Sequence, residues 1–112
     1  MIVDDDARVR ELLKLLVTEI ADTVHECEDG VRALAAYEAC RPDWVLMDIE
    51  MPGEDGLCAT RRIREVDPDA NVLVVTSHDD PALREAAVAA GARGLVLKDD
   101  LLAIRGRLLA RP

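Results

Sequence analysis

The stretch NVLVVTSHDDPALREAAVAAGARGLVLK, residues 71–98, decides the fold. It opens on a β-branched run, Val72 to Val75, and closes on a second apolar run, Leu95 to Leu97. Neither run alternates with polar residues, which is the pattern of strands covered on both faces, as in a parallel sheet. Between them Leu83, Ala86, Ala87 and Ala90 recur at three- and four-residue steps, one face of a helix, and Gly91 supplies the stop. Strand, helix and strand in this order make a βαβ unit.

The same alternation extends toward both termini. Strands are predicted at Met1 to Val3, Thr23 to Cys27, Trp44 to Met47, Asn71 to Thr76 and Gly94 to Leu97. The segment TVHECE alternates and reads as an edge strand. Core-facing helix stripes fall at Val9, Leu12, Leu13, Leu16 and Ile20, at Val31, Leu34 and Ala35, at Ala59, Ile63 and Val66, and at Leu101, Ile104 and Leu108. Pro68 lies where the third helix must end, and Asp99 or Asp100 can cap the fifth. The expectation is an α/β domain, a doubly wound (βα)5 sandwich with a five-stranded parallel sheet and helices on both faces.

With 112 residues the chain holds one modest core, so residues 1–112 read as a single domain. Only three residues precede Asp4, so the first strand reads as clipped, and no output domain is expected within these residues. Half the residues are hydrophobic but only 2% are aromatic, with no Phe, so the core must be aliphatic. The 14 basic and 23 acidic side chains give a net charge of −9, the wrong sign for holding nucleic acid through its phosphates. Cys27, Cys40 and Cys58 form no C-x-x-C pair and read as reduced and buried. No apolar run approaches the roughly 18 residues of a membrane span, and the amino terminus turns acidic at Asp4, where a signal peptide would be apolar. A cytoplasmic location follows as an expectation.

In open parallel sheets ligands gather at the carboxyl ends of the strands. The first strand delivers Asp4, Asp5 and Asp6 there, the third Asp48, the fourth Thr76 and Ser77, and the fifth Lys98. Clustered carboxylates repel by several kcal/mol at an effective dielectric of about 20, so they hold a proton or recruit a cation. Mg²⁺ suits the set, since it takes one or two carboxylates and leaves positions for phosphate oxygens. Asp48 beside such an ion can attack phosphorus, while Lys98 and the Thr76 hydroxyl can hold phosphoryl oxygens. Taken singly, Asp5 or Asp6 reads as a helix cap, Thr76 as an ordinary strand residue and Lys98 as a solvated charge. Their joint arrival from four strands is what points to a site.

The segments IVDDDARVR, LMDIEMPGEDGL, VLVVTSH and GARGLVLKD together resemble the receiver domain of bacterial two-component response regulators, over essentially the whole chain. The resemblance implies a flavodoxin-like fold, Asp48 as phosphoacceptor, and a histidine kinase as phosphoryl donor. It also implies Mg²⁺ held at Asp5 directly, Asp4 through water, Asp48, and the backbone carbonyl of Glu50. Thr76 and Lys98 would grip the phosphoryl group, and Pro52, Gly53 and Gly56 match the loop after the acceptor. Such a domain acts on itself and is not otherwise an enzyme. The pairing of Lys98 with Asp99 after GARG is similar to receivers whose regulators carry a LuxR-type helix-turn-helix, which implies a DNA-binding output domain in a full-length protein. Asp99 stands where a cis-linked proline is common, and Leu95 where an aromatic residue commonly swings inward, so coupling must use loop and helix movement. Glu50 and His78 occupy positions that face the outer side of the phosphoryl group, whereas His25 reads as a surface residue. The face of the fourth helix, fifth strand and fifth helix is the expected switch surface and a candidate homodimer interface. Two rival readings are a receiver-like adaptor that is never phosphorylated and a phosphohydrolase of the haloacid dehalogenase type. The latter wants a second Asp where Glu50 stands.

Overall fold

The computed structural model describes residues 1–110. Strands β1 (Ile2–Val3), β2 (Glu26–Cys27), β3 (Val45–Met47), β4 (Val72–Thr76) and β5 (Gly94–Leu97) alternate with helices α1 (Ala7–Val17), α2 (Ala33–Cys40), α3 (Gly56–Val66), α4 (Pro81–Ala89) and α5 (Leu101–Leu109). All strand pairs are parallel, in the order β2-β1-β3-β4-β5. The expected (βα)5 architecture is therefore present, with β2 and β5 at the two edges.

The apolar runs do not alternate because each strand feeds both faces. Val72 packs with Val3, Val45, Met47, Tyr37, Ala59 and Ile63 beneath α2 and α3. Its neighbour Leu73 points the other way, joining Ile2, Leu46, Leu13, Val17 and Ile104 beneath α1 and α5. A third cluster, Ile49, Val74, Ala87, Ala92 and Leu95, seats α4.

Several sequence expectations need correction in detail. The edge strand is shorter than Thr23 to Cys27: only Glu26 and Cys27 pair with β1, although the His25 carbonyl still accepts from the Ile2 N–H at 2.8 Å. Leu12 and Val66 lie on exposed flanks of α1 and α3, because the buried arcs run through Leu13 with Val17 and through Ala59 with Ile63. In α2 the core face is Ala33 and Tyr37, and Val31 and Ala35 are exposed. A helix so rich in apolar residues offers little contrast between its faces, and the large Tyr37 ring fixes which one turns inward. The cysteines form no disulfide among the described residues, but only Cys27 is buried, with Cys40 and Cys58 half-buried. The Lys98–Asp99 peptide is trans, as are all others among the described residues.

Aspartates start four of the helices. Asp6, Asp55, Asp80 and Asp100 accept hydrogen bonds from the backbone N–H groups of Arg8, Cys58, Ala82 and Ala103. Each satisfies a donor that the helix itself leaves open. Asp6 and Asp100 thus fill the capping roles that their spacing suggested. The turn into α3 uses glycine twice. Gly53 has φ of 82°, and a Cβ at Gly56 would collide with the Asp48 carbonyl oxygen, so α3 begins pressed against the strand end that carries Asp48.

Candidate functional site

Chain order reverses at the β1/β3 pair, since β2 lies on one side of β1 and β3 on the other. Register then decides what meets there. Val3 pairs with Met47, so the next residues, Asp4 and Asp48, leave the sheet side by side, and the Asp48 N–H bonds the Val3 carbonyl at 2.9 Å. Thr76 pairs with Leu97, which delivers Lys98 one step later, and the Lys98 N–H bonds the Thr76 carbonyl at 2.8 Å.

The Lys98 ammonium bridges the two acids, with Nζ 3.0 Å from Asp4 Oδ2 and 3.1 Å from Asp48 Oδ1. Asp48 Oδ1 also accepts from the Ile49 N–H at 2.9 Å, whereas Oδ2 accepts nothing from the described residues. Asp4 and Asp48 are both buried, and Asp5 is exposed. One carboxylate oxygen from each of Asp4, Asp5 and Asp48 falls within 4.8 Å of the others, a spacing that one small cation can span. The set is all oxygen and partly open to solvent, as hard divalent ions require.

Three carboxylates facing one ammonium leave the cluster short of positive charge. Burial raises the Asp48 carboxyl above its ordinary pKa, and the Asp4 charge adds to this; Lys98 and the Ile49 N–H pull the other way without cancelling it. Burial alone would lower Lys98, but the hydrogen bonds and charges of Asp4 and Asp48 raise it. The ammonium therefore stays protonated across the physiological range.

The remaining candidates divide. Thr76 is buried at the end of β4, and its Oγ1 accepts from the His78 N–H at 3.2 Å, tying the hydroxyl to the loop before α4. Glu50 points its carboxylate outward, where Oε1 lies 2.7 Å from His78 Nε2. Its side chain is thus separate from the aspartate cluster, and only its backbone stays with the loop after Asp48. Ser77 is exposed and joins no cluster. Asp6 faces α1 as its cap.

One contributor escaped the sequence reading. Arg10 of α1 donates Nη1 to the Asp4 carbonyl at 2.7 Å and sets Nε 3.4 Å from Glu26 on β2, clamping the acidic turn to the edge strand. The i, i+6 spacing of Arg10 and Asp4 across a turn carries no periodic signal.

The model of the response regulator receiver domain matches residues 1–106. The chain belongs to that family. Among relatives, this receiver domain is 39% identical to the chemotaxis protein CheY of Halobacterium salinarum, over 88% of this chain and 82% of that one. It is 37% identical to the response regulator MprA of Mycobacterium ulcerans, covering 99% of this chain but 50% of the relative, so it spans about half of that regulator. Among solved structures, a two-component response regulator of the LuxR family from an Aurantimonas species superposes with a TM-score of 0.90 at 36% identity, over 96% of this chain and 79% of that one. The receiver has the five-stranded parallel sheet that its sequence predicted. No helix among the described residues is long and apolar enough to cross a membrane.

Proposed function

We propose that Asp48 accepts a phosphoryl group from a histidine kinase, with Mg²⁺ held by Asp5, by Asp4 through water, by Asp48 and by the Glu50 backbone carbonyl. The observation that carries this reading is the Lys98 bridge, which holds Asp4 and Asp48 together beside Asp5 while leaving Asp48 Oδ2 without a hydrogen bond from the described residues. That oxygen forms the new bond to phosphorus as the bond from phosphorus to the kinase imidazole breaks. The ion, when bound, offsets charge on the phosphoryl oxygens. Lys98 then exchanges its contact with Asp48 for a phosphoryl oxygen, and the Thr76 hydroxyl donates to another. Because Thr76 Oγ1 holds the His78 N–H, that movement displaces the β4–α4 loop.

Displacement of this loop alters the α4-β5-α5 face, which we assign as the switch surface and homodimer contact. Leu95 within it is buried and aliphatic, so packing shifts rather than a swinging ring must carry the change. The half-length match to MprA and the likeness to a LuxR-family regulator support a DNA-binding output domain in the full-length protein, and we assign its action to the cytoplasm.

Incubation with acetyl phosphate and Mg²⁺ followed by intact mass tests the assignment. One added phosphoryl mass is expected for the wild type and none for Asp48→Asn. Labelling that survives Asp48→Asn moves the acceptor elsewhere, and an unlabelled wild type favours the adaptor reading.

A further inference from the structure

As a sheet edge, β5 exposes backbone groups that a neighbouring strand would otherwise occupy. The ladder bond from Lys98 N–H to the Thr76 carbonyl sets the phase. Successive residues of a strand point their backbone groups in opposite directions, so the Leu95 carbonyl faces the open edge, whereas Arg93, just before β5, still turns its N–H to the Val72 carbonyl of β4. The Leu95 and Arg93 carbonyls both accept from arginines. Arg84 of α4 donates Nη1 to the Leu95 carbonyl at 2.9 Å, and Arg107 of α5 donates to that of Arg93.

Arg84 has a second partner. Its Nη2 lies 4.0 Å from Asp79 Oδ1, on the loop between β4 and α4. That loop leaves the site at Thr76, whose hydroxyl holds the His78 N–H next to Asp79. One guanidinium is therefore shared between the loop that the site moves and the edge of the strand that the loop must influence. Arg84 and Asp79 are half to mostly exposed, and exchange between hydrogen-bond partners at such a surface costs little.

We propose that Arg84 is the positioning residue that couples the phosphorylation site to β5. In the resting receiver it latches α4 to the Leu95 carbonyl. When the loop follows Thr76 toward the phosphoryl group, Asp79 draws the guanidinium away, and the β5 edge is uncovered for a partner. The packing around Leu95 then relaxes without a rotating aromatic ring. This rests on the phosphoacceptor reading, and it adds a residue outside the phosphoryl-binding set.

The test titrates beryllofluoride with Mg²⁺ into the wild type, Arg84→Gln, Asp79→Asn and the double variant, following backbone amide shifts and analogue affinity. Glutamine keeps helix propensity while removing the charge, the reach and the fork of donors. Without analogue, the amides of residues 94–97 in Arg84→Gln are expected to shift along the line that the wild type traces on binding. Analogue affinity should rise about fivefold, the low end of measured couplings. Asp79→Asn should weaken binding, and the double variant should match Arg84→Gln, since the loop no longer has a guanidinium to draw. Shifts confined to the immediate neighbours of residue 84, with unchanged affinity, would overturn the latch. So would additive effects in the double variant. Failure of the analogue to perturb Asp48 in the wild type sinks the phosphoacceptor reading first and the latch with it.

Discussion

Asp48 and Asp67 are the same residue type at opposite ends of the sheet, and the fold treats them in opposite ways. Asp67 closes α3 and receives the Tyr37 hydroxyl at 2.6 Å, the Asp69 N–H at 3.0 Å and Arg41 Nη1 at 3.4 Å. The Tyr37 hydrogen bond, joined by the other donors, lowers its carboxyl below the usual range. Asp48 is pushed the other way by burial and by Asp4. One end of the molecule completes its charges with its own side chains, and the other keeps an anionic excess that an outside cation can complete. Stability resides at the first, and chemistry at the second.

The largest expected effect separates the two ends by adding that cation. Mg²⁺ at about ten times its dissociation constant should raise unfolding stability by about 1.4 kcal/mol, measured by urea denaturation with and without the ion. Asp5→Asn should remove most of the gain, and Tyr37→Phe should leave it intact. Equal gains in all three proteins would place the ion elsewhere.

Next in size is the base of the molecule. Tyr37→Phe leaves the ring but deletes a hydrogen bond to a carboxylate, and should cost about 1 kcal/mol in both the presence and absence of Mg²⁺. Burial, then the bond and charge of Asp67, pushes the Tyr37 phenol from 10.0 up to about 12. A phenol raised by folding lends stability that is complete below its unfolded value and disappears as pH climbs from 10 toward 12. The wild type should therefore lose stability across that window and Tyr37→Phe should lose less, as measured by thermal melts in matched salt.

The smallest effect has the opposite sign. A carboxyl whose pKa rises on folding is disfavoured as an anion there, so Asp48→Asn should stabilise the Mg²⁺-free protein, by several tenths of a kcal/mol. A destabilised variant would mean that the Lys98 contact outweighs burial and Asp4 together.

How legible each end was in the sequence follows from the same contrast. Asp4, Asp48, Thr76 and Lys98 each terminate an apolar run, and parallel register carries run ends to a common rim, so a one-dimensional pattern encodes their meeting. Tyr37 and Asp67 are separated by thirty positions, one on the face of α2 and the other just past the end of α3, where no register links them. The α2 stripe was misplaced onto Val31 and Ala35 for a related reason, because the choice among apolar faces was made by a tertiary partner. Arg10 escaped notice since its partner is a backbone carbonyl, which has no sequence signature. Glu50 was legible only in part: its chain position marks the loop after Asp48, but its side chain pairs with His78 instead.

The capping aspartates alter what the overall charge means. Each helix follows a strand, so Asp6, Asp55, Asp80 and Asp100 ring the same rim as the acidic cluster, yet each faces the positive end of a helix dipole. Glu54 sets Oε2 2.7 Å from Arg62 Nη1, although its buried Oε1 has no partner among the described residues. The capping aspartates thus draw an approaching cation less than their number suggests. What an ion meets at that rim is a small focus of three aspartates set among acids that helix ends and arginines partly offset.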